Sequence, residues 1–241
     1  MIYAMTYMGM YTMRSKLFIS TNLSGKLKGI TGITTYHVSC EFCKKMQKDE
    51  KNVCRFCYAK DIDKRNWTNA IENYKENTKK LSEHMYRSEL PNLMYDNAGT
   101  NLVRFDTHGE VPNLECLINF FKIARANYRF RFALWTKRTD LLIEATESGI
   151  ITPKNVCIVV SSIRLNEPIS QDMLDKLQKA GVFVDTVFTV YTDKYIAEHN
   201  VEINCGDRDC AKCLKCYTHH YKQIKFINER LKGVNQKELD I

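Results

Sequence analysis

No stretch of this 241-residue chain approaches the ~18 consecutive apolar residues that a transmembrane helix requires, which argues against a helical membrane span. Proline and glycine are scarce, 4 and 10 residues, and nowhere do they gather with serine into a linker. Nothing therefore divides residues 13–241 into two folding units, and one domain is expected. Internal repeats and low-complexity tracts are missing too, which removes solenoids and fibrous arrays. Met1 to Thr12 has neither a charged n-region nor a small-residue cleavage site, so it does not read as a secretory leader. These residues hold four methionines and are expected to be an extension, with Met13 as the start.

What is present is globular in composition, 44% hydrophobic and 27% charged. The net charge of +8 sits on Lys44, Lys45, Lys48 and Lys51, on Lys60, Lys64 and Arg65, and along residues 212–232. Such a surface permits nucleic-acid contact through phosphates without requiring it. Ten cysteines in a chain with no export signal, several of them in Cys-x-x-Cys steps, fit metal-bound thiolates in a reducing cytoplasm better than a disulfide framework.

Short β-branched or aromatic runs alternate with amphipathic stretches, the rhythm of βα units around a parallel sheet. Strands are expected at Leu102 to Phe105, Phe130 to Trp135, Val156 to Val160 and Phe183 to Val190. Lys16 to Thr21 and Ile33 to Val38 add a hairpin or a first strand. Helices are expected at Leu114 to Ala126 and Gln171 to Lys179, at Asn66 to Leu90 up to Pro91, and at His220 to Leu231, with Ile224 and Ile227 inward. Five or six parallel strands are too few for an eightfold barrel. The expected α/β fold is a partial parallel (βα)5-6 barrel with two Cys-rich metal-binding segments and its chemistry at the carboxyl ends of the strands.

Cys40, Cys43, Cys54 and Cys57 form the first cysteine quartet. As two Cys-x-x-Cys knuckles they would make a closed, tetrahedral zinc site. As three ligands plus one further cysteine they would hold a 4Fe-4S cluster with one iron open to a cofactor. The tail Cys54-Arg-Phe56-Cys57-Tyr58-Ala59 resembles the radical S-adenosylmethionine enzymes, whose pattern is Cys-x-x-x-Cys-x-aromatic-Cys. Thirteen residues separate Cys40 from Cys54, and ten separate Cys43 from it, where that family has three. The resemblance implies cluster ligation by Cys40 or Cys43 with Cys54 and Cys57, S-adenosylmethionine on the open iron, and Phe56 beside its adenine.

Downstream, Val103 to Val111 reads as a strand running into a Gly109-Glu110 turn. Glycine allows close backbone approach, and a carboxylate at a strand end accepts hydrogen bonds from an ammonium group. In the resembled family a Gly-Gly-Glu segment binds the amino group of S-adenosylmethionine; here Gly109 and Glu110 match and His108 replaces the first glycine. Asp106 is a second candidate carboxylate and His108 a candidate proton carrier. Ser161 and Ser162 follow a strand and could meet a ribose or a substrate. Asp106 to Glu110, the strand ending in Trp135-Thr136-Lys137-Arg138 and the Cys-Tyr-Ala step together resemble the phage gene product eighty-eight family from about residue 18 to 217. That resemblance implies a phage protein in the host cytoplasm and supplies no activity.

The second quartet, Cys205, Cys210, Cys213 and Cys216, packs four thiolates into twelve residues. It suits a fully ligated 4Fe-4S cluster and, by count, zinc equally. Tyr217 follows the last cysteine where haem attachment needs histidine; His219 and His220 are candidate substitute ligands. Cys116 and Cys157 fall inside a helix and a strand and read as small buried hydrophobes. The leading expectation is an iron-sulfur enzyme of radical S-adenosylmethionine type, with one or two clusters, a separate electron donor and an unknown substrate. The alternative is a zinc-stabilised basic protein that binds nucleic acid or a host factor without catalysis.

Overall fold

The computed structural model describes residues 16–21, 23–60, 68–94, 100–206, 209–232 and 236. The expected extension before Met13 and the first two residues of the helix expected from Asn66 lie outside them. Six strands, β1 (Thr31–Ile33), β2 (Leu102–Phe105), β3 (Arg131–Thr136), β4 (Val156–Ser161), β5 (Thr186–Tyr191) and β6 (Lys225–Arg230), form one sheet. They are parallel throughout and lie side by side in chain order. The helices are α1 (Glu41–Met46), α2 (Thr68–Leu81), α3 (Leu114–Ala126), α4 (Thr139–Glu147), α5 (Gln171–Lys179), α6 (Asp193–His199) and α7 (Cys210–Cys213).

Strand alternation divides the two faces of this sheet. Val103, Phe105, Phe132, Leu134, Ile158 and Val160 point to one face, where α2, α3, α4 and α5 bury Leu81, Phe120, Leu141 and Leu177 against them. Phe105 stacks between Phe120 and Phe132 at centroid distances of 4.2 and 5.0 Å. The opposite face carries Ala133, Trp135, Val159, Phe188 and Ile227, packed under Tyr217, Leu214 and Cys216 of the rear segment. β4 is buried on both faces, which is why it reads as a continuous apolar run. Side-chain caps start three helices: the Asn113, Ser170 and Thr192 oxygens accept from the amides of Cys116, Met173 and Tyr195. No helix among the described residues is long and apolar enough to cross a membrane.

α3 and α5 match the expected helices, and Cys116 and Cys157 are buried as expected. The expected closing helix His220 to Leu231 is corrected to β6, paired in register from Thr186↔Lys225 to Tyr191↔Arg230. Ile224 packs with the helix-side core and Ile227 on the opposite face, an arrangement that three-residue helical spacing cannot give. The helix expected to run to Leu90 ends at Leu81, because the Asn119 amide takes the carbonyls of Leu81 and Glu83 that further turns would need. Phe183 lies before β5 and is exposed. In the first segment the strand is Thr31–Ile33, bridged antiparallel by Ser20 at Gly32; residues 37–39 form a 3-10 turn rather than continuing it.

Candidate functional site

The face opposite α2–α5 borders a cavity of about 870 Å³. Phe56, Asp106, Gly109, Glu110 and Ser161, all singled out in the sequence, line it together with Cys54, Cys57 and all four rear cysteines. The second pair of the front quartet and the whole rear quartet, about 150 residues apart in sequence, therefore open onto one space. Cys40 and Cys43 lie buried outside its lining, and Ser162 is buried with its hydroxyl on the carbonyls of Arg164 and Glu167.

The front quartet is bound to the ends of the strands. After β1 the chain turns through residues 37–39 into α1, and Val53 then donates to the Ile163 carbonyl beyond β4 at 2.8 Å. Asn52, fully buried, accepts from the Cys54 amide, and the Tyr58 hydroxyl donates to the Thr107 carbonyl beyond β2. Cys40 accepts hydrogen bonds from the side chain and backbone of Cys43; this lowers the Cys40 thiol and, with burial, raises that of Cys43. Burial pushes the Cys54 thiol up to about 11 against the pull of Lys137. For the Lys137 ammonium burial acts downward, but Cys54 and Glu110 outweigh it and hold its pKa above the ordinary lysine value. A cation thus stands beside the front thiols, where it would offset the charge of a thiolate.

Beyond β2, Asp106 adopts a left-handed backbone, φ 54°, and is buried. Its Oδ1 accepts from the Thr35 amide at 2.9 Å and hydroxyl at 2.7 Å, while Oδ2 is buried with no partner. Burial raises this carboxyl to about 7 despite the Thr35 hydrogen bonds. Glu110 differs: Oε1 accepts from the Thr136 hydroxyl and the Val111 amide, and Oε2 from the Lys137 amide. Its carboxylate ties the β2 turn to the end of β3. Gly109 meets Thr35, since a Cβ there would lie 2.5 Å from the Thr35 carbonyl oxygen. His108 stacks on Tyr74 and bonds the Thr107 hydroxyl; burial and the Arg104 charge depress it to about 4, so it is neutral at pH 7.

The rear quartet crosses the cavity face, with Leu214 in a left-handed conformation between Cys213 and Cys216. Lys26 approaches the Cys205 sulfur at 3.7 Å and pairs with Glu229 of β6. Burial raises the thiols of Cys205, to about 11, and of Cys210 and Cys216, with Arg104 drawing the last two back. Arg104 was not singled out in the sequence. It is 9% exposed, its guanidinium lies 4.0 Å from the Trp135 ring centre, and its Nε has no partner. The one available signal was a charged residue at an inward position of Leu-Val-Arg-Phe. Lys26 gave no signal, because only the return of the rear segment brings it to cysteine.

Among the described residues, Cys157, Asp185 and His219 alone bring three potential ligand atoms within 4.8 Å of one another. The Asp185 and His219 atoms already serve the fold: Asp185 accepts from the Ile158 amide and meets His219 Nδ1 at 2.8 Å, and His219 Nε2 donates to the Lys154 carbonyl. His220 Nε2 bonds the Lys215 carbonyl. No three sulfurs of either quartet come that close. Four thiolates on zinc at about 2.3 Å would sit roughly 3.8 Å apart, whereas a cluster seats each cysteine on a separate iron and spreads them. Each quartet's four thiols match in number the ligands of a cluster or of a zinc ion.

The family model Gene product 88 matches residues 14–236. No curated protein and no solved structure matches the chain.

Proposed function

The chain belongs to the Gene product 88 family, and on that premise we propose that it is an iron-sulfur enzyme of radical S-adenosylmethionine type acting on a substrate held in the cavity between the two quartets. In this reading the consecutively ordered sheet is a six-stranded partial barrel with its inner face toward the cavity. Cys54 and Cys57, with Cys40 or Cys43, would hold the front cluster, and Cys205, Cys210, Cys213 and Cys216 the rear one. When bound, the front cluster supplies one-electron reductive cleavage of S-adenosylmethionine, chemistry that belongs to the cofactor.

The residues of the chain bind, orient and exclude water. Asp106 offers the buried Oδ2 to an ammonium group, the role first expected of Glu110, whose oxygens hold the turn in shape. Phe56 and Ser161 border the same space and suit the adenine and ribose. Lys137 offsets charge at the front sulfurs and Arg104 at the rear ones. The observation that carries this reading is that Cys54 and Cys57 of the front quartet and all four rear cysteines line one cavity; zinc ions serving only to pin loops would need no shared space.

The test is iron, zinc and acid-labile sulfide content on protein purified without oxygen, followed by incubation with S-adenosylmethionine and dithionite. About eight irons and eight sulfides per chain, with release of 5′-deoxyadenosine, support the proposal. Two zincs and no sulfide overturn it.

A further inference from the structure

Four loops lie at the amino-terminal end of the sheet, opposite the end that carries Asp106 and Lys137: residues 127–130, 148–155, 180–185 and 218–224. Each exposes one large apolar side chain, Tyr128 71%, Ile151 76%, Phe183 43% and Tyr221 76%. Single exposed apolar residues are ordinary, but here a ring cluster is held in place. Tyr221 stacks on His219 with centroids 5.3 Å apart, and Phe183 closes the group at 5.6 Å from Tyr221. His219 is fixed through both ring nitrogens, on Asp185 and on the Lys154 carbonyl, so the platform is ordered before any ligand arrives.

Positive charge predominates around it. Arg125 and Lys179 close α3 and α5, where the helix dipole accounts for them. Arg129, Lys154, Lys222 and Lys225 have no such reason, and among the described residues no ion pair engages the three lysines. The acid within these loops is Asp185, which is buried; Glu147 at the end of α4 is the exposed acid next to them. Exposed rings flanked by unpaired lysines match the chemistry of a single-stranded nucleic acid, whose bases stack and whose phosphates attract cations. An apolar protein partner would leave those lysines without anions.

We propose that this end of the sheet binds single-stranded nucleic acid, with a base on the Tyr221–His219–Phe183 platform and phosphates on Lys154, Lys222 and Lys225. The site is separate from the cavity and holds whether or not the cavity is catalytic. Its probe is a fluorescein-labelled oligothymidylate of about 15 nucleotides, read by anisotropy across a salt series. Phe183→Ala with Tyr221→Ala should weaken binding about tenfold, while Tyr221→Phe, which keeps the ring, should not. Lys154→Glu, Lys222→Glu and Lys225→Glu together should lower the slope of log affinity against log salt by about 2, at roughly 0.7 per phosphate contact. No binding at micromolar protein, or equal binding by both multiple variants, overturns the proposal. Self-association abolished by the ring variant, with no oligonucleotide binding, overturns it in favour of a protein contact.

Discussion

The front and rear quartets hold the same four thiols on different supports. In front, Cys40, Cys43 and Cys54 are buried, and the loop is anchored at three strand ends through Val53, Tyr58 and the Thr35–Asp106 contacts. At the rear all four cysteines are half-buried, and the segment lies on the sheet through Leu214, Cys216 and Tyr217 and the Asp185–His219 pair. The front quartet is thus part of the strand-end framework, and the rear one is a cover laid over the sheet face opposite α2–α5. A ligand set built into strand ends is oriented by the whole core, whereas a covering segment takes its position from fewer contacts.

The largest expected effect separates the two supports directly. Cys54→Ala with Cys57→Ala should abolish S-adenosylmethionine cleavage and halve the iron, while Cys210→Ala with Cys213→Ala should halve the iron yet leave cleavage measurable. Anaerobic iron analysis and 5′-deoxyadenosine release read both; equal loss of cleavage would erase the distinction. The next effect sharpens it through Asp106. Its folded pKa of about 7 exceeds the unfolded value near 3.9, so its contribution to stability is full below pH ~4 and is lost as pH rises through 7. Between pH 5 and 8 the native chain should lose about 3 kcal/mol relative to Asp106→Asn, measured by denaturant unfolding at each pH. Parallel pH curves for the two proteins would show that this carboxyl is not raised.

The smallest effect falls on Gly109. A Cβ at this position meets the Thr35 carbonyl and the Thr35 hydroxyl, and that hydroxyl also holds Asp106 and the Glu110 backbone. Gly109→Ala should cost about 2 kcal/mol of stability through overpacking and loosen iron at the front while the rear is retained. Unchanged thermal unfolding and unchanged iron content would refute that coupling.

Periodicity made β2 to β5, α3 and α5 legible, because strands buried on one face or both and helices with one apolar stripe write their burial into the sequence. β6 was not legible: Lys-Phe-Ile-Asn-Glu-Arg lies at a sheet edge, and pairing with β5 decides its state over weak local preference. Helix α2 was misjudged in length for a similar reason, since a side chain of α3 caps it.

The sequence by itself determined where the two groups of four cysteines lie along the chain and which residues form each. The Gly-Glu turn could be placed beyond a strand in the same way. Only the tertiary structure decided that Cys54 and Cys57 share a cavity with the rear group, that Arg104 and Lys26 stand among the rear sulfurs, and that Asp106 rather than Glu110 keeps an unpartnered oxygen. Those outcomes depend on strand order, register and the return of the chain after β5. They arise from contacts between residues tens to hundreds of positions apart, which local spacing does not encode.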